Sequence, residues 1–247
     1  MSIFLVLAFL FFIGSLVGWC LELVFRRFFS SANPERKWIN PGFLTGPYLP
    51  LYGFSLCILF LLANLEEYIP IQSIPLRRTL LFCVMALFVT LIEYLAGLIF
   101  IHGMKVKLWD YSREWGNIQG IICPKFSFFW AVLSAVYYFL IHPHILDALQ
   151  WLSENLTFSF CIGFFYGIFV IDFAVSVNLL TKLRAFAKEN EMVIRFEELK
   201  QHIAQQMEKQ REHRRFLFAM HPHRPMAEYL KSYSERLRDE IQKRKNK

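Results

Sequence analysis

Two glutamates sit in stretches of chain that carry almost no other charge, and each is followed by the same set of polar residues. Glu22 precedes Trp38, Asn40 and Pro47 in WINPGFLTGP; Glu93 precedes Trp115, Asn117 and Pro124 in WGNIQGIICP. Both copies read Trp-x-Asn with a proline seven residues after the asparagine, and the Glu-to-Asn spacing is 18 in one and 24 in the other. A carboxylate among apolar residues is costly, and is kept where it lines a cavity or meets a partner. Two of them, each ahead of a Gly/Pro-interrupted segment, predict a polar site inside a membrane bundle. What passes through or reacts at that site is not written in the spacing.

Neither glutamate has a single reading. Gly14, Gly18, Glu22 and Arg26 recur every four residues, so they share one helical face; the glycines predict close approach of a second helix there. Glu22 can pair with Arg26 one turn on, or act as a functional group. Glu93 has no cation on its own helix before Lys105, about 18 Å away at the helical rise. It shares a face with Ala86, Thr90 and Gly97, and it is either protonated, paired across the bundle, or in contact with substrate or ion. Asp172 is a third carboxylate deep in an apolar run; it reads equally as a functional group or as a structural hydrogen-bond acceptor. Gly163 and Gly167 form a second close-packing pair on the opposite face of that run. The segment Trp109, Asp110, Tyr111, Ser112 through Asn117 gathers hydrogen-bonding groups into an entrance beside the second proline, and Asn40 plays that part in the first copy. No catalytic residue is assigned. His142 and His144 with Asp147, and His221 with His223, are too few ligands for a zinc site, so no metal and no cofactor is expected.

The elements that must position these residues follow from hydropathy. Hydrophobic residues are 55% of the chain and charged residues 19%. Apolar runs at about 2–25, 46–65, 79–101, 121–141 and 156–180 are each long enough for the ~30 Å hydrocarbon core. The fold class is therefore all-α, a polytopic bundle of five transmembrane helices: two parallel helical-hairpin repeats plus a fifth helix, filling residues 1–181. Cys20, Cys57, Cys83, Cys123 and Cys161, one to a span and without any CxxC, read as small buried apolar residues.

The charge lies elsewhere. The net charge is +7, and all of it is carried by residues 182–247. This basic tail predicts a helix along 181–220 with an apolar stripe, a break at His221-Pro222-His223, and a second helix over about 226–244. It can lie against the bilayer or dock a soluble partner; nucleic acid is not expected. Arg26, Arg27, Arg36 and Lys37 after span one, and Lys105, Lys107, Arg113 and Lys125 after span three, place those loops and the C-terminus in the cytoplasm and the N-terminus outside. Oligomeric state is not legible.

NPGFLTGPYLPLYGF and LWDYSREWGNIQGIIC, each preceded by a glutamate-bearing span, resemble the CmpB-like family of bacterial membrane proteins, named as type IV ABC-transporter permeases. The likeness covers roughly residues 8–135 and includes Glu22, Asn40, Gly42, Gly46, Pro47, Tyr52, Gly53, Glu93, Trp109, Asp110, Tyr111, Ser112, Asn117, Gly120 and Cys123. Pro41 and Ile121 depart from it, standing where the family usually has basic residues. The resemblance implies a permease component in the bacterial inner membrane. With no GxxxxGK[ST] loop in the chain, it also implies a separate ATPase subunit. An intramembrane enzyme or lipid-handling protein using the buried carboxylates, and a scaffold recruiting a soluble partner through the tail, are the alternatives.

Overall fold

The computed structural model describes residues 2–30, 33, 35–216, 231–233 and 235. Five helices are long and apolar enough to cross a membrane, and the chain is an all-α polytopic bundle. In chain order the described helices are α1 (Ile3–Phe28), α2 (Pro50–Ala63), α3 (Ile74–Leu98), α4 (Pro124–Val136), α5 (His142–Glu154), α6 (Leu156–Glu189) and α7 (Phe196–Phe216). Two short strands, β1 (Val106–Lys107) and β2 (Ile194–Arg195), pair in parallel.

Prolines set where the spans begin. Pro50 and Pro124 occupy the first turns of α2 and α4, where a missing N–H costs nothing and φ is already helical. The first helix of the second hairpin starts earlier than hydropathy predicts, because Pro75 opens α3 and brings Arg77 and Arg78 into its first turns. At its other end α3 runs on through a π-helical turn, Ile99–Met104, to Lys105 in the left-handed region. The expected loop at 142–155 is instead helical. A π turn at Tyr137–Ile141 leads into α5, whose Ile145 and Leu149 are buried in the main core. Its one-sided apolar face makes a short helix viable where a hydropathy window sees only a dip.

α1 and α2 cross where both are small. A Cβ on Gly14 would lie 3.1 Å from Gly53 Cα, and one on Gly53 would lie 2.7 Å from the Phe11 carbonyl. A Cβ on Gly18 would run into the Tyr52 ring. The core through the spans is built on Phe9, Leu10, Leu59, Met85, Val89, Trp130 and Leu149. α3 contributes a buried stripe at every fourth residue: Leu81, Met85, Val89, Glu93 and Gly97. Three of the five cysteines, Cys20, Cys83 and Cys161, face outward instead of inward; in a bilayer the outside is as apolar as the core, so an apolar side chain does not reveal its face. Gly163 and Gly167 also face outward. Nothing among the described residues lies within 4 Å of a Cβ built on either, so the expected second contact face of α6 is uncovered within the chain.

The tail does not continue as one helix. α6 ends at Glu189, and the amides of Met192 and Glu191 bond to the carbonyls of Ala187 and Lys188. This 6→1 and 5→2 pair is the Schellman stop, with Glu191 at φ +50° where glycine is usual. The chain turns back, adds β2 beside β1, and enters α7. Leu183, Ala187, Ile194, Phe196 and Leu199 bury against Val106, Phe43 and Leu108. The apolar stripe of the tail root is therefore covered by the chain's own two loops. The second tail helix and the His221/His223 pair lie outside the described residues, apart from part of the helix, whose Tyr233 is buried in this same cluster.

Candidate functional site

Both glutamates arrive at the loop end of the bundle and meet there. On α1, Arg26 Nε donates to Glu22 Oε1 at 2.8 Å, so the i,i+4 pair forms. The other oxygen, Oε2, accepts from the Tyr52 hydroxyl at 3.0 Å. The missing side chain at Gly18 leaves the space that lets the Tyr52 ring lie against α1 one turn before Glu22. Glu93 is 2% exposed, and its Oε1 accepts from the Tyr111 hydroxyl at 3.1 Å. Oε2 of Glu93 is buried with no hydrogen-bond partner among the described residues. Tyr111 stacks on Phe126 of α4 at 4.2 Å and 11°, while Trp130 of α4 lies 4.7 Å from the Tyr52 ring. Glu22 and Glu93 are close enough to act on one another electrostatically, and both act on Tyr111. Burial and these two carboxylates push the Tyr111 phenol well above its ordinary range, so it stays protonated and donates.

The ion pair is not confined to α1. Arg26 Nη1 also reaches Glu197 of α7 at 3.0 Å. Three residues on, Lys200 Nζ donates to the carbonyls of Asn40, at 2.9 Å, and Gly42. Arg195 Nε lies 3.3 Å from Asp110 Oδ2. The tail root thus ties span one, the first loop and the second loop together. Burial, with the like charge of Arg26 added, pushes the Lys200 ammonium down to about 8, against a smaller opposing pull from Glu197.

Asp172 belongs to a second centre. It accepts from the amides of Thr45 (3.0 Å) and Gly46 (2.8 Å), from the Tyr48 hydroxyl (2.6 Å) and from Ser176 Oγ (3.1 Å). Four donors converge on one carboxylate, so Asp172 fixes the first loop to α6. The loop residues mostly hold the loops. Asn40 accepts from the Trp19 indole at 2.8 Å and donates to the carbonyls of Leu44 and Thr45. Asn117 donates to the carbonyls of Ser112 and Glu114 and accepts from the Gly120 amide. Trp109 donates to the Ile121 carbonyl. Burial works against the charge of Asp110, but Lys107 Nζ at 2.7 Å with the hydroxyl and amide of Ser112 outweighs it, holding the carboxyl below its usual range.

Of the residues singled out from sequence, Glu22, Glu93 and Tyr111 are brought together. Asn40, Asn117, Trp109, Asp110 and Ser112 act as staples within the two loops, and Asp172 anchors the first loop to α6. Sequence reasoning did not place Tyr52, Trp130, Glu197 or Lys200 at the site. Tyr52 had one signal, its place beside Gly53 in the motif shared with the family; the two tail residues had none, because their partners are backbone carbonyls and a residue 171 positions away. Among the described residues no group of three His, Cys, Asp or Glu is arranged to hold a metal ion.

One effect of pH follows from Lys200. Its folded-state pKa of about 8 lies below the ordinary lysine value, so between about pH 8 and 10.5 the unfolded chain binds more protons than the folded one. Stability should therefore rise with pH across that window. Thermal unfolding in detergent is expected to show the rise in wild type and to lose it in Lys200→Gln, which keeps a donor for the loop carbonyls but no titrating charge.

A family model described as "Putative ABC-transporter type IV" matches residues 9–177 of this chain, about two thirds of its length and all five spans in whole or part. No curated protein and no solved structure matches it.

Proposed function

The chain belongs to the type IV ABC-transporter family represented by CmpB, and on that premise we propose that this multi-pass membrane protein is the membrane-embedded part of a transport system, working through the polar site between its two hairpins. The observation that carries this reading is the approach of Glu22 and Glu93, one from each hairpin, inside a largely apolar bundle, each accepting from its own tyrosine hydroxyl, Tyr52 and Tyr111, with Glu197 of α7 on the Arg26 partner of Glu22. Carboxylates among apolar spans are costly, and those kept there mark ion and substrate pathways.

The two hairpins are read as a parallel repeat. Each carries its glutamate, its loop stapled by an asparagine, and a span opened by proline. The match is one of residue type more than of bonding: Asn40 donates forward along its loop, Asn117 backward. Energy would come from a separate nucleotide-binding subunit, since the sequence has no phosphate-binding loop of the Walker type. We read the loop end as cytoplasmic, at a bacterial inner membrane, a reading supported by the concentration of basic residues in the loops and tail. Single cysteines in a cysteine-free background test this: Glu154→Cys at the α5–α6 corner should react with an impermeant thiol reagent on intact cells, and Lys188→Cys at the tail root should not. The reverse pattern would invert the topology.

Purification from native membranes tests the function. The expected result is co-elution of an ATPase, with ATP-dependent solute flux in liposomes that contain both chains. A chain that elutes alone, supports no flux, and whose deletion changes the lipid profile would favour a lipid-handling activity instead.

A further inference from the structure

The cluster contains one feature that transport architecture alone leaves unexplained, the bare oxygen of Glu93. Oε1 accepts from Tyr111, but Oε2 is buried without a well-formed hydrogen bond among the described residues, the Trp130 indole lying near the carboxyl as its closest further donor. A buried polar atom of a native fold normally has a partner, and an orphan calls for a specific account. As a carboxylate, Glu93 would carry an unpaired charge in an apolar medium, which costs several kcal/mol or more.

The groups facing it narrow the ligand. From α1 come Glu22 and Arg26, whose Nε and Nη1 are committed to Glu22 and Glu197. From α2 comes Tyr52, whose hydroxyl donates to Glu22. From the second loop comes Tyr111, already donating to Oε1, and from α4 comes the Trp130 indole, a donor close to the carboxyl that makes no well-aligned bond to Oε2. Its own helix carries Arg77 and Arg78 only in its opposite first turns, and Lys105 stands past its other end, so neither end brings a cation to Glu93. The neighbouring carboxylate opposes a second negative charge, and among the described residues Arg26 is already shared between two acids while Lys200 is held by the loop carbonyls. A metal ion would require several oxygens converging at once, and Oε2 is the single uncommitted carboxylate oxygen at the Glu22–Glu93 pair. A proton requires only that one oxygen.

We propose that Oε2 of Glu93 is a reversible proton-binding site and that transport by this chain is coupled to loading and unloading of that proton. In the arrangement described here the carboxyl is loaded: the proton forms the Oε2–H bond and the group is neutral. Unloading breaks that bond, returns the proton to water and leaves a carboxylate for an arriving cationic group to pair with. The coupling rests on the transport reading of the bundle; the proton site does not.

The full chain in lipid nanodiscs, with its glutamates carbon-13 labelled, allows the two to be separated. Infrared difference spectra between acid and alkaline buffer should show a protonated-carboxyl band that titrates, is lost in Glu93→Gln, is moved in Glu93→Asp and persists in Glu22→Gln. No titrating glutamate band in wild type, a band unchanged in Glu93→Asp, or a band that disappears on adding sodium at fixed pH would overturn the proposal. In liposomes that also hold the ATPase subunit, ATP-dependent flux should be accompanied by proton movement in wild type and not in Glu93→Gln. A titrating Glu93 without any proton movement would retain the site and overturn the coupling.

Discussion

Glu93→Gln is expected to abolish activity while leaving the protein folded and inserted. The carboxyl is buried on the inner stripe of α3, holds one hydrogen bond to Tyr111, and has a second oxygen with no partner. Glutamine keeps the size and can still accept from Tyr111, so packing is preserved. It cannot bind and release a proton, nor supply a counter-charge. Complementation of a deletion strain, with protein level and detergent stability followed in parallel, should show activity reduced by about a hundredfold or more, the scale on which a positioned proton-transfer group acts. Glu22→Gln should be milder, because Arg26 retains Glu197 at 3.0 Å and the amide oxygen still accepts from Tyr52. A fully active Glu93→Gln chain would remove the basis for placing the site here. Loss of folding along with function would make Glu93 a structural group.

Gly18→Leu is expected to have the largest effect on stability of any single change on α1. Even one Cβ at that position would meet the Tyr52 ring, and that ring has Trp130 at 4.7 Å on another side, so it has little room to retreat. Overpacking typically costs about 1–3 kcal/mol, and leucine adds three carbons beyond the Cβ that already collides. Thermal stability in detergent should fall by several degrees, and activity should fall with it, because displacing Tyr52 removes the donor to Glu22 Oε2. Val17→Leu is the control one residue away: Val17 is 51% exposed and should tolerate the larger side chain. Gly167→Leu, on the open face of α6, should be equally mild. Equal losses at Gly18 and Val17 would place the Gly18 face against lipid.

Local regularities made much of this legible. The four-residue recurrence of Gly14, Gly18, Glu22 and Arg26 predicts both the α1–α2 crossing and the ion pair, since helix geometry alone puts them on one face. Glu93 on an inner face followed from the small and polar residues spaced along its helix, and five spans followed from composition, because the length and apolarity of a spanning segment are dictated by the bilayer; that Tyr111 lies beside Glu93 did not. Gly163 and Gly167 carry the same kind of signal and yet meet nothing in the chain. A small residue permits close approach without requiring it, and in a bilayer both faces of a helix are apolar, so the pattern that identifies a span cannot orient it.

Tertiary structure decided which carboxylates met. Asp172 is as deep and as isolated in sequence as Glu93, but the first loop happens to present two amides and the Tyr48 hydroxyl to it, which fully commits Asp172 as an anchor. Glu93 has one well-formed bond, from Tyr111, with its Oε2 left without one among the described residues, and that difference supports reading Glu93 as a site and Asp172 as a staple. The tail shows the same division. Its apolar stripe was readable as a face in need of a cover, but the Schellman turn at Glu191, the β1–β2 pairing and the reach of Lys200 to the carbonyls of Asn40 and Gly42 depend on backbone groups. Every residue carries those groups alike, so side-chain patterns do not encode where they will meet. The sequence by itself determined the spans, the buried carboxylates and the glycine crossing; folding determined that the chain closes its own loop end with the root of its tail.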